Sequence, residues 1–253
     1  NYPIYVSDRG SPGRKYLFIH EFLRKKLYKK AAGIIAQTNR AKEITEGILP
    51  NARIKVIGNP IRRMNVENYD CSGKENIILS VGRLINTKNH DRLINIFSKL
   101  NAPDWKLIIV GGDALGQNNL EILHKIVSDF DLDDRIILTG EQKNVDQYYG
   151  KGKIFAFTSS VEGFPNVIGE ALSSGLPVVS YDCVAGPSEM ICDGVNGFLV
   201  PVFNDKVFVE KLQILIDDER LLNQMSRNAQ VSMNDFLIEQ IGEEYYSFIT
   251  SEI

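Results

Sequence analysis

From Ile77 onward, short apolar runs alternate with longer segments of helical period, and this alternation limits the fold more than any other feature of the chain. The apolar runs fall at 77–81, 106–110, 135–138, 154–157, 177–180 and 198–200. Helical stretches at 91–100, 120–130, 167–173 and 207–217 separate most of them, and helical signal continues from Glu219 to the end. Strands that alternate with helices predict a parallel sheet covered on both faces. The strand runs are apolar almost throughout, as strands buried on both sides must be. In open sheets of this class a ligand sits beyond the carboxyl ends of the strands. Residues that carry function are therefore expected just after strands.

The chain begins differently. Residues 1–60 read as the tail of an α/β unit, with strands at 2–6, 34–36 and 54–57, the last closed by Gly58-Asn59-Pro60. Between the first two, 18–30 predicts an amphipathic helix. Phe18, Phe22, Leu23 and Leu27 share one face, with Arg24, Lys25, Lys29 and Lys30 largely off it. Thr38 suits the N-cap of a following helix. A polar stretch containing Cys71-Ser72-Gly73 reads as a linker over 61–75. The expected organisation is thus 1–60, a linker, a main domain over 76–231, and a helical segment over 232–253.

Charge is divided along the same line. Residues 1–64 carry 14 Lys and Arg against 4 Asp and Glu, while the remainder carries 15 against 28. Such a basic segment suits phosphate, nucleic acid or an anionic membrane surface, or is a plain solvated face. No run of 18 apolar residues occurs and no leader pattern opens the chain. Cys71, Cys183 and Cys192 are too few and too scattered for a disulfide framework, which fits a reducing cytoplasm. His20, His90 and His124 have no Cys or His at ligand spacing, so no metal site is expected.

Three loops after strands draw attention. After 77–81 comes Gly82-Arg83-Leu84-Ile85-Asn86-Thr87-Lys88, where Gly82 permits close backbone approach and Arg83 and Lys88 offer two cations for a diphosphate. A helix starting near His90 adds its positive end. After 106–110, Gly111-Gly112-Asp113 lacks the spacing of a dinucleotide fingerprint, because Gly116 comes too late. It reads as a tight turn. After 154–157, Ser159 to Ala171 places Glu162 in a loop and Glu170 in the helix that follows, eight positions on. Gly163, Phe164, Pro165 and Asn166 lie between them, where main-chain N–H groups at a helix start favour an anion. One carboxylate can take the two vicinal hydroxyls of a ribose while the other faces a sugar. Solvated charge at a helix start is the plainer alternative.

Here the chain resembles a known family. Glu162 and Glu170 within EGFPNVIGEALSSGLPVV look like the E-x7-E motif of retaining glycosyltransferases built from two facing Rossmann-like domains. VGRLINTKN is similar to their diphosphate loop, CDGVNGFLVPVFN to their DG-xx-G-x-LV segment, and YDCVAGPSEMI to a subset that makes lipid-linked or capsular glycans. The resemblance covers about 30–230. It implies a complete C-terminal donor domain plus the tail of an N-terminal acceptor-side domain. Gly82, Arg83, Lys88, Gly163, Phe164, Pro165 and Asn166 would hold the donor diphosphate. Glu170 would take the ribose, Asn144 and Val145 the base, and Glu162 the transferred sugar as the catalytic carboxylate. No metal or cofactor is implied, since cations and helix starts neutralise the leaving diphosphate. The implied partners are a UDP-sugar and a glycan or lipid-linked acceptor, with no nucleic acid. An anionic membrane surface fits the basic segment and a cytoplasmic, peripheral location. Complete members carry a glycine-rich loop and a sugar-side histidine in their N-terminal domain, and His20 does not take that role. A non-catalytic nucleotide-binding or interaction module of the same fold is the alternative.

Overall fold

The computed structural model describes residues 2–12, 17–64 and 73–251. Arg14 and Lys15 of the basic segment, and most of the expected linker including Cys71, lie outside them.

The first unit is a three-stranded parallel sheet in the order β1 (Tyr5–Asp8), β2 (Gly33–Ala36), β3 (Ile54–Val56). Helix α1 (Phe18–Tyr28) joins β1 to β2, and α2 (Asn39–Ile48) joins β2 to β3. Thr38 caps α2, its hydroxyl accepting from the Ala41 N–H at 3.0 Å. On α1 the apolar residues Phe18, Ile19, Phe22, Leu23 and Leu27 are exposed. The inward side is polar, with Arg24 bonded to Asp8 and Glu21, each at 3.2 Å.

The second unit is a six-stranded, all-parallel sheet. Its strands are β4 (Ile77–Val81), β5 (Lys106–Val110), β6 (Ile136–Leu138), β7 (Ile154–Phe157), β8 (Val178–Tyr181) and β9 (Gly197–Val200). Their order across the sheet is β6-β5-β4-β7-β8-β9, so the winding reverses between β4 and β7. Helices α3 (His90–Phe97), α4 (Asn119–Asp129), α5 (Asp146–Lys151), α6 (Asn166–Ser173), α7 (Pro187–Met190), α8 (Asp205–Asp217) and α9 (Glu219–Ser232) cover it. Period-two alternation divides the strand residues between two cores. Ile78, Leu107, Ile109, Ala156 and Val179 meet α3, α4, α8 and α9 on one face. Leu79, Ile108, Val110, Phe155 and Phe157 meet α5 and α6 on the other. Each such buried Leu, Ile, Val or Phe side chain contributes about 1.5–3 kcal/mol, which holds both helix layers on the sheet.

The ends of the chain are knitted back. Ile61 and Met64, at the start of the expected linker, are buried in the α5/α6 core. A side chain added at Gly169 would meet Ile61 Cδ1 at 2.6 Å, so the connection is seated against α6. The last helix, α10 (Ile238–Thr250), packs on the first sheet, where Ile241 and Phe248 close a core with Ile35 and Ile57. Arg53 donates to the Phe248 carbonyl at 3.0 Å and its guanidinium lies 4.2 Å from the Phe248 ring centroid. The carboxyl ends of the two sheets approach each other. Asn39 donates to both Glu189 oxygens at 2.6 and 2.8 Å, and Asn59 donates to Asn166 Oδ1 at 2.9 Å.

Candidate functional site

The first unit meets the second at the reversal point of the sheet, beside the loops that follow β4 and β7. Those loops are laced together before any ligand is considered. Asn89 sits in the left-handed region with φ of 52°, a conformation that asparagine tolerates better than most residues. From there its amide donates to the Thr158 carbonyl at 2.8 Å and the Thr87 carbonyl at 3.0 Å. The Thr158 hydroxyl returns a bond to the Lys88 carbonyl at 2.9 Å, and Ser160 N–H donates to the Thr87 carbonyl at 2.9 Å. The β5 loop presses in from the other side. Gly111 has φ of 157°, and a Cβ there would stand 1.9 Å from the Gly82 carbonyl oxygen. The Gly-Gly turn is thus explained by close packing on Gly82.

This scaffold brings Lys88 to Glu162. Nζ lies 2.5 Å from Oε1, with both side chains mostly covered, at 16% and 13% exposure, and with Nζ 5.0 Å from the Phe157 ring centroid. Arg83 is exposed and forms no ion pair among the described residues. The diphosphate cations expected to converge are therefore in different states, one engaged by a carboxylate and one in solvent. Glu162 also faces Cys183, whose thiol is pushed up to about 11 by burial and then by Glu162, so it stays protonated.

Helix α6 starts at Asn166 with no side-chain cap. Gly163 lies under the first unit, where an added Cβ would meet the Arg9 carbonyl oxygen at 2.9 Å. Phe164 is buried against Phe236, with centroids 6.1 Å apart, and Pro165 packs on Gly186. The side chains of Phe164 and Pro165 therefore build the loop, and only main chain remains there for an anion. Asn166 is exposed and holds Asn59, which also accepts from Gln37.

Glu170 lies one turn further along α6, in a separate cluster. Its Oε2 accepts from the Tyr149 hydroxyl at 3.0 Å, and its Oε1 is 3.7 Å from Arg62 Nε. Arg62 forks onto Asp146 with bonds of 2.8 and 2.5 Å. Burial raises the Glu170 carboxyl above its ordinary range, opposed by the Tyr149 hydrogen bond and by Arg62, with Asp146 adding to the rise. Asn144 and Val145 precede α5 beside this cluster, with Asn144 exposed and Val145 half-buried against the core. Sequence reasoning missed Asn89, Arg62, Asp146 and Tyr149. An asparagine just before a helix start was a faint signal for the first, and no local signal marks the others.

The family of glycosyl transferases group 1 matches the chain over residues 61–232. The chain belongs to this family. It is 31% identical to the amylovoran biosynthesis glycosyltransferase AmsD of Erwinia amylovora, over 86% of this chain and 62% of that protein. It is 30% identical to a Campylobacter jejuni N-acetylgalactosaminyltransferase whose name specifies a diphospho-undecaprenol substrate, over 91% of this chain and 63% of that protein. The chain thus spans about three fifths of these relatives' length. Among solved structures it superposes on HepE of Anabaena in complex with UDP with a TM-score of 0.88 at 21% identity, covering 98% of this chain and 72% of that one. TarM gives 0.84 at 22%, covering 98% and 50%. These likenesses establish the Rossmann-like fold of two-domain glycosyltransferases, in which Glu162 follows β7 and Glu170 lies on α6.

Proposed function

We propose that this chain is the donor-binding part of a retaining glycosyltransferase that moves a hexosyl group from a UDP-sugar to a hydroxyl of a glycan or lipid-linked glycan. The observation that carries the reading is the Lys88–Glu162 pair at the sheet's reversal point, beside an uncapped helix start. A donor diphosphate would take Lys88 from Glu162 and add the exposed Arg83, and the released Glu162 would accept hydroxyls of the sugar. The exchange keeps each charge partnered. As the bond from the anomeric carbon to the diphosphate breaks, the acceptor oxygen bonds on the same face and gives its proton to the leaving phosphate, on which negative charge gathers. On this reading Arg83, Lys88 and the start of α6 would stabilise that charge, and no metal is called for. Asn144 and Val145 would lie beside the base. The relatives' polysaccharide and undecaprenol names support a glycan or lipid-linked acceptor. With such an acceptor goes a cytoplasmic location at an anionic membrane surface, for which α1 offers exposed apolar residues beside Lys25, Lys26, Lys29 and Lys30.

Calorimetric titration tests the donor reading. UDP should bind and NAD should not. Lys88→Ala should weaken UDP by about 1–3 kcal/mol, the cost of losing a charge-assisted hydrogen bond. An unchanged dissociation constant would remove Lys88 from the diphosphate site. UDP binding without transfer in the full-length protein would favour the non-catalytic module.

A further inference from the structure

We infer that Arg62, on the connection between the two units, is a positioning residue for ribose recognition, holding Glu170 so that its carboxylate can accept two vicinal hydroxyls. The inference rests on the donor-site reading and adds to it a residue outside the E-x7-E motif. Three observations carry it. Both Glu170 oxygens have a partner, Oε2 accepting from the Tyr149 hydroxyl at 3.0 Å and Oε1 in an ion pair with Arg62 Nε at 3.7 Å. The same guanidinium forks onto Asp146, the first residue of α5, just after Asn144-Val145. The connection itself is seated: Ile61 is 3% exposed, fills the space left by Gly169, and donates its N–H to the Phe236 carbonyl at 2.7 Å. Adjacent residues thus face adjacent residues, Ile61 against Gly169 and Arg62 against Glu170. That register aims the guanidinium at the carboxylate without relying on a mobile side chain alone.

The chemistry gives the arrangement a purpose. An ionised carboxylate accepts from two hydroxyls at once, whereas a protonated one gives up part of that capacity. Glu170 is covered on one side by Tyr149 and lies near Asp146, a second carboxylate that repels its charge. Among the described residues the groups that face it are Tyr149 and Asp146 from α5 and Arg62 from the connection, the cation of the three. A guanidinium can serve both carboxylates through separate N–H groups in one plane, which an ammonium cannot do with the same geometry.

The test compares UDP with 2′-deoxy-UDP by calorimetry, using the wild type, Arg62→Gln and Arg62→Lys. The wild type should prefer UDP by about tenfold, as expected for one hydroxyl bonded to a charged acceptor. Arg62→Gln should bind both nucleotides with nearly equal affinity, and its UDP affinity should fall away at higher pH than in the wild type as Glu170 protonates earlier. Arg62→Lys should restore part of the preference. Full ribose preference with an unshifted acid limb in Arg62→Gln would overturn the inference and leave the donor site standing. Should Arg62→Gln fail to fold, wild-type preference and an unshifted limb in Arg62→Lys would overturn it equally. A wild type that ignores the missing hydroxyl would remove Glu170 from the ribose and Arg62 with it, and a wild type that binds no UDP would sink the donor reading itself.

Discussion

His90, the first residue of α3, lies directly behind the Lys88 loop, and its titration should be written into the stability of the whole protein. The ring is almost fully enclosed, and neither nitrogen finds a hydrogen-bond partner among the described residues. Burial, reinforced by the Lys88 charge, lowers its pKa from the ordinary 6.5 to about 4, while the nearby Arg83 and Gly82 main chain opposes the shift weakly. Between those two values the unfolded chain binds a proton that the folded protein does not. Stability therefore rises with pH across that window and is lost on acidification from about 6.5 down to about 4. At about 1.4 kcal/mol per unit the His90 contribution reaches roughly 3 kcal/mol. His90→Leu keeps nearly the same volume and removes two unpartnered nitrogens. At neutral pH it should be within about 1 kcal/mol of the wild type, or more stable. Urea denaturation at several pH values measures the difference between the two proteins, so that carboxylates common to both cancel. Equal losses for wild type and His90→Leu between neutral pH and pH 4 would refute the reasoning.

Three further outcomes follow from the geometry. Glu170→Ala should weaken UDP itself, whereas Glu162→Ala, which frees Lys88, should keep or tighten UDP binding and depress sugar transfer in the full-length enzyme; loss of UDP binding in Glu162→Ala would exchange the roles. Gly169→Ala should destabilise by about 1–3 kcal/mol through overpacking on Ile61, and Ile61→Ala in the same chain should recover part of the loss in thermal melts. Full-length protein should co-sediment with anionic vesicles, less so at high salt or with Lys25, Lys26, Lys29 and Lys30 changed to Gln; equal binding to neutral vesicles would remove the electrostatic argument.

The strands β4, β5 and β7 could be read to the residue, because their apolar runs end sharply at Gly82, Gly111 and Thr158. Helix α5 could not. It has only six residues, with Gly150 inside it, and its period is too short to stand out. The segment over 232–253 reads only as helical, with nothing to say which unit it joins, and α10 packs on the first sheet, with the Tyr5 and Phe248 rings 5.6 Å apart. Periodicity tells which face is apolar and says nothing of which surface will cover it. The same limit explains the connection. Arg62 reads as one more polar linker residue, while its forked partner Asp146 lies 84 positions away. Phe164 and Pro165 sit within a motif that is easy to recognise, but only packing separates the side chains that build the loop from the main chain that would meet a ligand.

The two cation–carboxylate clusters differ in how they can respond to a nucleotide, and the difference follows from their composition. Around Lys88 there is one carboxylate, with an exposed Arg83 nearby. A diphosphate entering there brings negative charge that replaces Glu162 at the ammonium, and Glu162 gains uncharged hydroxyls in return. Around Arg62 there are two carboxylates and a tyrosine whose hydroxyl is held protonated by burial and by Glu170. A ribose brings no charge to that end. Opening the Arg62 contacts would take the guanidinium from both Asp146 and Glu170, whose charges repel each other, and in a partly covered site that loss is costly. On the proposed reading, therefore, the Lys88–Glu162 pair is the contact that must open when the donor arrives, and the Arg62 cluster is the one that must stay closed. One cluster exchanges partners, and the other keeps a carboxylate ready for hydroxyls.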